Sequence, residues 1–326
     1  MPVHSAIRSQ TYIRIPHKQT LGRAKRLSRA LLGGVLSPIY WLLAYRYRVP
    51  GLKFRKECAL LAFRLFIKRM FNKEKMYISF AKIYRLLFWP LDSVRYFEFD
   101  FVWHGLSDLS IRHYLDVSSP HLLPIMLVLK KNQLRAELMN PDVQDLITTA
   151  NLSKALGFEK RCNFHPCLIS AATFEPGSFD VVTSMSVLEH IPEDNEAIRK
   201  MWEFLEPGGR LLLTVPCASG AREEYIDRNE YGLLEPDKDG FFFFQRYYDR
   251  KLLSENVFSI TGEPLRYAVY GEKTAGAYHR NEQSKLSDPN YPAWREPYTM
   301  GQEYRYFDSV DDLPGIGVIG MEFVKT

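Results

Sequence analysis

The chain has 326 residues, 46% of them hydrophobic, enough to bury one large core or one domain with an extension. Four cysteines (Cys58, Cys162, Cys167 and Cys217) exclude a disulfide scaffold and point to a reducing, cytoplasmic compartment. The net charge of +5 conceals a strong asymmetry: up to Arg95 there are 20 Lys and Arg against 3 Asp and Glu, a net +17, and the remainder carries −12.

Such polarity suggests two tasks, or one task performed at an anionic surface. Residues 1–25 are polar, basic and without apolar periodicity, which predicts a disordered tail. The pattern over 26–99 is helical. The run "ALLGGVLSPIYWLLAY" (30–45) falls short of the roughly 20 apolar residues of a membrane span and is interrupted by Pro38. A spanning helix is therefore not expected, and a surface-lying one remains open. In "ECALLAFRLFIKRMF", Leu60, Leu61, Phe63, Leu65, Phe66 and Met70 recur at three- and four-residue steps with Arg64, Lys68 and Arg69 between them. "ISFAKIYRLLFWP" repeats the theme and stops at Pro90. One reading is a helical cap packed on the next domain, its arginines solvated. The other is a basic amphipathic face in peripheral contact with anionic lipid on the inner membrane surface. Apolar residues on more than one face favour packing. The basic residues are interspersed with apolar faces and carry no nucleic-acid-binding signature, so nucleic acid is not an expected partner.

From Arg112 the period changes. "RHYLDVS" reads as a strand, "HLLPIMLVLKK" as a helix and "QLRAELM" as a second strand. "NPDVQDLITTANLSKALG" reads as a helix started at Asn140 and Pro141 and ended by Gly157. "CNFHPCLI" is a third strand; its Cys162, His165 and Cys167 lack a fourth ligand and zinc spacing, so no metal is expected. "FDVVTSM", "EDNEAIRKMWEFL" and "GGRLLLTVP" follow as strand, helix and strand. Nearly continuous apolar strands alternating with helices predict a parallel sheet covered on both faces. Beyond Pro216 come an aromatic block "GFFFFQRYYD", a helix "RKLLSENV", a strand "PLRYAVYGEK", a Pro- and Tyr-rich excursion over 274–307, and a closing strand "GIGVIGMEFVKT".

The segment "FDVVTSMSVLEHIPEDNEAIRKMWEFLEPGGRLLLTVP" carries Phe179, Asp180, Val182, Leu188, Glu189, His190, Leu205, Pro207, Gly208 and Gly209. In this pattern it resembles the central part of class I S-adenosylmethionine-dependent methyltransferases of the small-molecule, type 11 group. The resemblance implies a Rossmann-like, doubly wound α/β sheet of about seven strands over 100–326, with an antiparallel last strand and the helical region as an N-terminal extension. It implies S-adenosylmethionine as cofactor and methyl transfer to a small-molecule or saccharide acceptor. The basic N-terminal region suggests a glycan or lipid-linked sugar.

Residue by residue, the resemblance puts Asp116, Ser118, Ser119, Glu137, Ser184 and Met185 on the cofactor side. It sets Ser186, Glu189 and His190 between cofactor and substrate, the last two as catalytic candidates. A histidine beyond a strand's carboxyl end is placed to take a proton at neutral pH, or simply to bond a neighbouring loop. Gln245, Arg246 and Tyr247 are candidates for a substrate-binding lid, with Arg246 the side chain hardest to bury without a partner. Three positions depart from the family. Ser118, Pro120 and Leu122 stand at the glycine positions after Asp116; Glu137 lies one residue before the slot of the ribose-holding acid; and Leu168 or Ile169 stands where an acid meets adenine. Glu137 reaches the cofactor only if its strand bends or bulges. These departures motivate the alternative reading, a methyltransferase-like scaffold or binding protein that has lost its cofactor.

Overall fold

A computed structural model describes residues 9–14, 22–71, 78–230, 232–288 and 291–326. In chain order the elements are β1 (Ser9–Ile13), α1 (Arg23–Arg46), α2 (Leu52–Phe71), α3 (Phe80–Phe88), α4 (Arg95–Leu106), β2 (His113–Val117), α5 (Leu122–Lys130), β3 (Arg135–Met139), α6 (Val143–Leu156), β4 (Cys162–His165) and β5 (Phe179–Met185). They continue with α7 (Asp194–Phe204), β6 (Leu205–Ala218), β7 (Arg222–Ile226), β8 (Phe242–Tyr247), α8 (Arg250–Leu253), α9 (Ser259–Thr261), β9 (Arg266–Glu272), α10 (Ala277–Ser287), α11 (Glu296–Glu303), β10 (Tyr304–Phe307) and β11 (Ile316–Val324).

Among the described residues eight strands form the main sheet in the order β10-β9-β11-β6-β5-β2-β3-β4, against about seven expected. The additional strand is β10, at the end of the excursion over 274–307. Strands β6, β5, β2, β3 and β4 run parallel, and β11 inserts antiparallel between β6 and β9, as the resemblance implied. The alternation of strand side chains sorts the core into two layers. Leu211, Leu213 and Val215 face the layer that contains α7, whereas Leu212 faces the layer built from α2, α4 and α5. Both faces are apolar because both are covered.

Local chemistry fixes the turns that matter for the site. Gly208 adopts φ 83°, the left-handed conformation that glycine accepts without a Cβ penalty, in the turn leading into the long part of β6. A Cβ on Gly209 would come within 2.8 Å of the Glu206 carbonyl oxygen. The Asp180 carboxylate accepts the backbone N–H groups of Arg112 and His113, stitching the start of β5 to the start of β2. Helix α6 is capped by Asp142, whose side chain accepts the N–H groups of Gln144 and Asp145, so its start lies beyond the expected Asn140–Pro141 pair.

Two expectations for the N-terminal region are corrected. Ser9–Ile13 is a strand, paired parallel to β7 in a second sheet, β1-β7-β8, and α1 begins at Arg23, still inside the tail of 1–25 expected to be disordered, of which 1–8 and 15–21 lie outside the described residues. The apolar run expected to fall short of a membrane span and to be interrupted at Pro38 lies in one helix that continues through Pro38 to Arg46, and Leu27–Arg46 is by length and composition long and apolar enough to cross a membrane. Helix α2 buries Leu52, Phe54, Cys58, Leu61 and Leu65 against α3 and α4.

Candidate active site

A cavity of about 640 Å³ opens at the carboxyl ends of β2, β3 and β5, where a doubly wound sheet places its ligands. Its walls include the turn Val117–Pro120 after β2, the arm Asn140–Asp142 with Asp145 after β3, Met185–Val187 after β5, and His190. Leu168, Ile169, Leu233 and Leu234 supply apolar surface, and Arg95 reaches in from α4.

The turn after β2 lacks glycine yet takes a glycine-like path. Ser118 adopts φ 55°, in the left-handed region, held there by its N–H donating to the Met139 carbonyl at 2.8 Å. Ser119 accepts the Met185 N–H on its Oγ at 3.2 Å, which ties this turn to the end of β5. Asp116 lies below the turn and does not line the cavity. It is buried, accepting from Tyr114 Oη at 2.8 Å, Thr183 Oγ1 at 2.9 Å and the Ser119 N–H at 3.1 Å. Burial pushes its carboxyl up to about 7, and the same hydrogen bonds oppose that rise. Asp116 thus reaches the cavity wall through the backbone N–H of Ser119 and not with its own carboxylate.

Glu137 is on the wrong side of its strand. The register of β3 with β2 and β4 is unbroken, so no bulge turns the side chain around, and it accepts instead from Asn163 Nδ2 at 2.8 Å and pairs with His165 Nε2 at 2.5 Å. The carboxylates that line the cavity at this arm are Asp142, occupied as the α6 cap, and Asp145. Asp145 accepts from Asn140 Nδ2 at 3.2 Å and lies 3.4 Å from His121 Nδ1. Ser184 is also absent from the cavity wall; its buried hydroxyl has no hydrogen-bond partner among the described residues.

At the end of β5, Ser186 has φ 51° and donates its hydroxyl to Glu98, an acid on α4 that is fully buried. Glu98 also accepts from Thr214 Oγ1 at 2.8 Å and from Arg95 at 2.9 Å. Neither Arg95 nor Glu98 was anticipated. The available signal was a lone Arg and Glu three residues apart in the otherwise aromatic "RYFEFDFVWHGL".

His190 lines the cavity with its Nδ1 2.5 Å from the Phe244 carbonyl oxygen, a contact that requires Nδ1 to carry the proton and makes Nε2 the lone-pair nitrogen. Burial lowers its pKa to about 4, so the ring is neutral at pH 7. Glu189 Oε1 lies 3.8 Å from Nε2, and burial, helped by neighbouring Glu98, raises the Glu189 carboxyl to about 8. At neutral pH the two side chains thus adjoin as neutral groups.

The Glu189 shift has a measurable consequence. An unfolded glutamate ionises near 4.5, so between that value and about 8 the unfolded chain has released a proton that the folded chain retains. Its contribution to stability is complete below pH 4.5 and is lost as pH rises through 8. Glu189→Gln should remove this slope and raise stability at pH 8 by on the order of a few kcal/mol, as read by urea denaturation across the pH range. His190 acts in the opposite sense: its contribution is complete above 6.5 and is lost as pH falls through about 4.

Gln245, Arg246 and Tyr247 do not form a lid over the cavity. They lie on β8, where Gln245 donates to Glu224 at 2.7 Å and Tyr247 is buried. Arg246 is buried, 2.8 Å from Asp194 and donating to the Pro192 carbonyl at 2.8 Å. The partner that the sequence did not supply is the first residue of α7. This pairing commits the Arg246 side chain to the fold.

The model of a family described as a methyltransferase domain matches residues 117–257, from the last residue of β2 to just beyond α8. The ubiquinone biosynthesis O-methyltransferase of Xanthomonas euvesicatoria pv. vesicatoria (strain 85-10) is 49% identical over 43 residues, 13% of this chain and 18% of that protein. The enzyme of the same name from Ralstonia nicotianae is 44% identical over a stretch of the same length. The matched stretch thus spans less than a fifth of these curated relatives. Among solved structures, geranyl diphosphate methyltransferase in complex with SAM has a TM-score of 0.45 at 11% identity, over 71% of this chain and 86% of that one. The MccD protein has a TM-score of 0.47 at 11% identity, over 71% and 97%. Residues 117–257 thus match a methyltransferase domain, and the strand order and the cavity at the sheet's carboxyl edge agree with the Rossmann-like fold of class I S-adenosylmethionine-dependent methyltransferases.

Proposed function

We propose that this protein transfers a methyl group from S-adenosylmethionine to a hydroxyl oxygen of a small-molecule acceptor, with His190 receiving the hydroxyl proton. The observation that carries the reading is the meeting of three groups at one cavity: the glycine-like Ser118 turn, the Asp145 carboxylate and the lone-pair nitrogen of His190. The names of the short-range relatives support oxygen as the acceptor atom.

The residues present fit the cofactor. The cavity has the volume expected of a small-molecule site. The left-handed Ser118 lets backbone approach a ligand closely without glycine. Asp145 offers a carboxylate for sugar hydroxyls, and Leu168 and Ile169 offer apolar surface for a base in place of the missing acid. When bound, the cofactor supplies an electrophilic methyl carbon. The chain contributes position, dryness and a base. Ser118 and Ser119 shape the floor, Ile191 and Pro192 exclude water, and His190 is neutral and fixed in the tautomer that accepts a proton at Nε2.

The test is calorimetry with S-adenosylhomocysteine on the native protein and on Asp145→Asn. The native protein should bind, and the variant should bind about tenfold to a hundredfold more weakly, the cost of a lost hydrogen bond to a charged group. Native protein that gives no heat at saturating ligand would overturn the reading and favour the scaffold alternative.

A further inference from the structure

The amphipathicity of α1 is inverted. The side it turns to the rest of the protein is built from small residues: Gly33 lies against Trp89 and Trp294, Gly34 against Tyr84, and Ser37 donates to the Phe88 carbonyl at 2.6 Å. A Cβ on Gly33 would come within 2.8 Å of either tryptophan. The large apolar residues point outward. Leu27, Leu31, Val35, Ile39 and Leu42 are 64%, 63%, 70%, 50% and 72% exposed, and their spacing of four, four, four and three residues draws one continuous stripe along the helix. Helix α2 exposes a second stripe of Leu60, Phe63, Ile67 and Met70. A surface helix held only by its own core contacts would carry these residues the other way round, so the outer face has a partner.

We infer that the outer face of α1 is a docking surface for an anionic lipid bilayer, on which the helix lies parallel to the membrane plane. Charge selects lipid. Helix α1 contains no acidic residue and has Lys25 near one end and Arg46 at the other, both exposed, with exposed Lys53, Lys56 and Arg64 following on α2. Two copies packed along this stripe would set cations against cations, with no carboxylate on α1 and only Glu57, already beside Lys130, on α2 to offset them, whereas lipid phosphates neutralise them. Geometry selects a surface-lying helix. Residues Leu27–Arg46 are long and apolar enough to cross a membrane, but the inner face is fastened to the fold by the tryptophan contacts, by Tyr84 donating to the Ala30 carbonyl and by Arg29 donating to the Tyr291 carbonyl. A spanning α1 would have to abandon all of these. A helix lying in the interface keeps them and sinks only its outer stripe, about 5–10 Å deep.

The experiment is sedimentation of the full chain with phosphatidylcholine vesicles, with and without phosphatidylglycerol. The native protein should sediment with the mixed vesicles and less with the neutral ones, and added salt should narrow that difference. The triple variant Leu31→Ser, Val35→Ser, Leu42→Ser should lose at least about a hundredfold in partitioning, since each residue forfeits a buried aliphatic side chain. Its circular dichroism and melting temperature should stay native, because the three positions touch no core. The inference fails if native protein remains in the supernatant with mixed vesicles, or if the triple variant partitions equally well. It also fails if light scattering finds a dimer that the triple variant dissolves while no vesicle is bound, which would assign the face to a second copy. None of these outcomes bears on cofactor binding in the cavity.

Discussion

His190→Gln should lower kcat by a factor of about 10²–10⁴ while leaving the dissociation constant for S-adenosylhomocysteine within twofold of native. The effect is large because the histidine's protonation state is already set for the task. Its Nδ1 proton is committed to the Phe244 carbonyl, and burial keeps the ring neutral well below pH 7. Glutamine can donate to Phe244 in its place, so the loop keeps its anchor, but no nitrogen with a lone pair remains at the position of Nε2. The same burial predicts the pH profile. With a pKa of about 4, His190 should impose no acid limb on kcat/KM between pH 6 and 7, and activity should fall only as pH approaches that value. A variant with native turnover would show that proton removal is left to solvent, and that His190 only fastens β8 to the cavity wall.

Arg246→Met should destabilise the protein by about 3–5 kcal/mol, the usual cost of removing one partner of a buried ion pair. The carboxylate left behind is that of Asp194, which is 2% exposed and also holds Tyr248 Oη at 2.7 Å and Asn256 Nδ2 at 2.9 Å. Those neutral donors cannot replace the guanidinium charge. The first turn of α7 and strand β8 should therefore loosen together, as read by a lower urea midpoint and by faster amide exchange at both. Had Arg246 been a substrate anchor, the variant would instead show native stability and a raised KM. A double variant, Arg246→Met with Asp194→Asn, should recover part of the loss, because it removes the orphaned charge along with its partner.

These two residues show how far the sequence reads. The position of His190 at the cavity is legible because its signal is local: it follows "FDVVTSM", a strand whose end has to lie at a ligand-binding edge, and the glycine turn that follows fixes the frame. Arg246 was misread because its partner, Asp194, lies 52 positions earlier, and nothing in the composition of either segment records that they meet. Glu137 was an intermediate case. Its alternation stated the condition, a bulge, under which it would face the cofactor, and only the register of β3 showed that the condition is not met. Arg95 and Glu98 belong to a helix assigned to the N-terminal extension, and packing alone brings that helix to the end of β5.

By itself the sequence determined the elements whose cause is local. Alternation and apolar runs set the parallel strands, Gly157 ends α6, and Gly208 and Gly209 turn the chain into β6. Tertiary structure decided what depends on distant neighbours. It made Ser118 adopt a glycine's backbone, assigned Asp145 in place of Glu137 to the cavity, and neutralised His190 and Glu189 by burial. It also turned the small side of α1 inward and its leucines out. The physical reason is the same in each case: propensity and periodicity are properties of neighbours in the chain, whereas pKa, ion pairing and the choice of exposed face are set by atoms that approach only when the chain has folded.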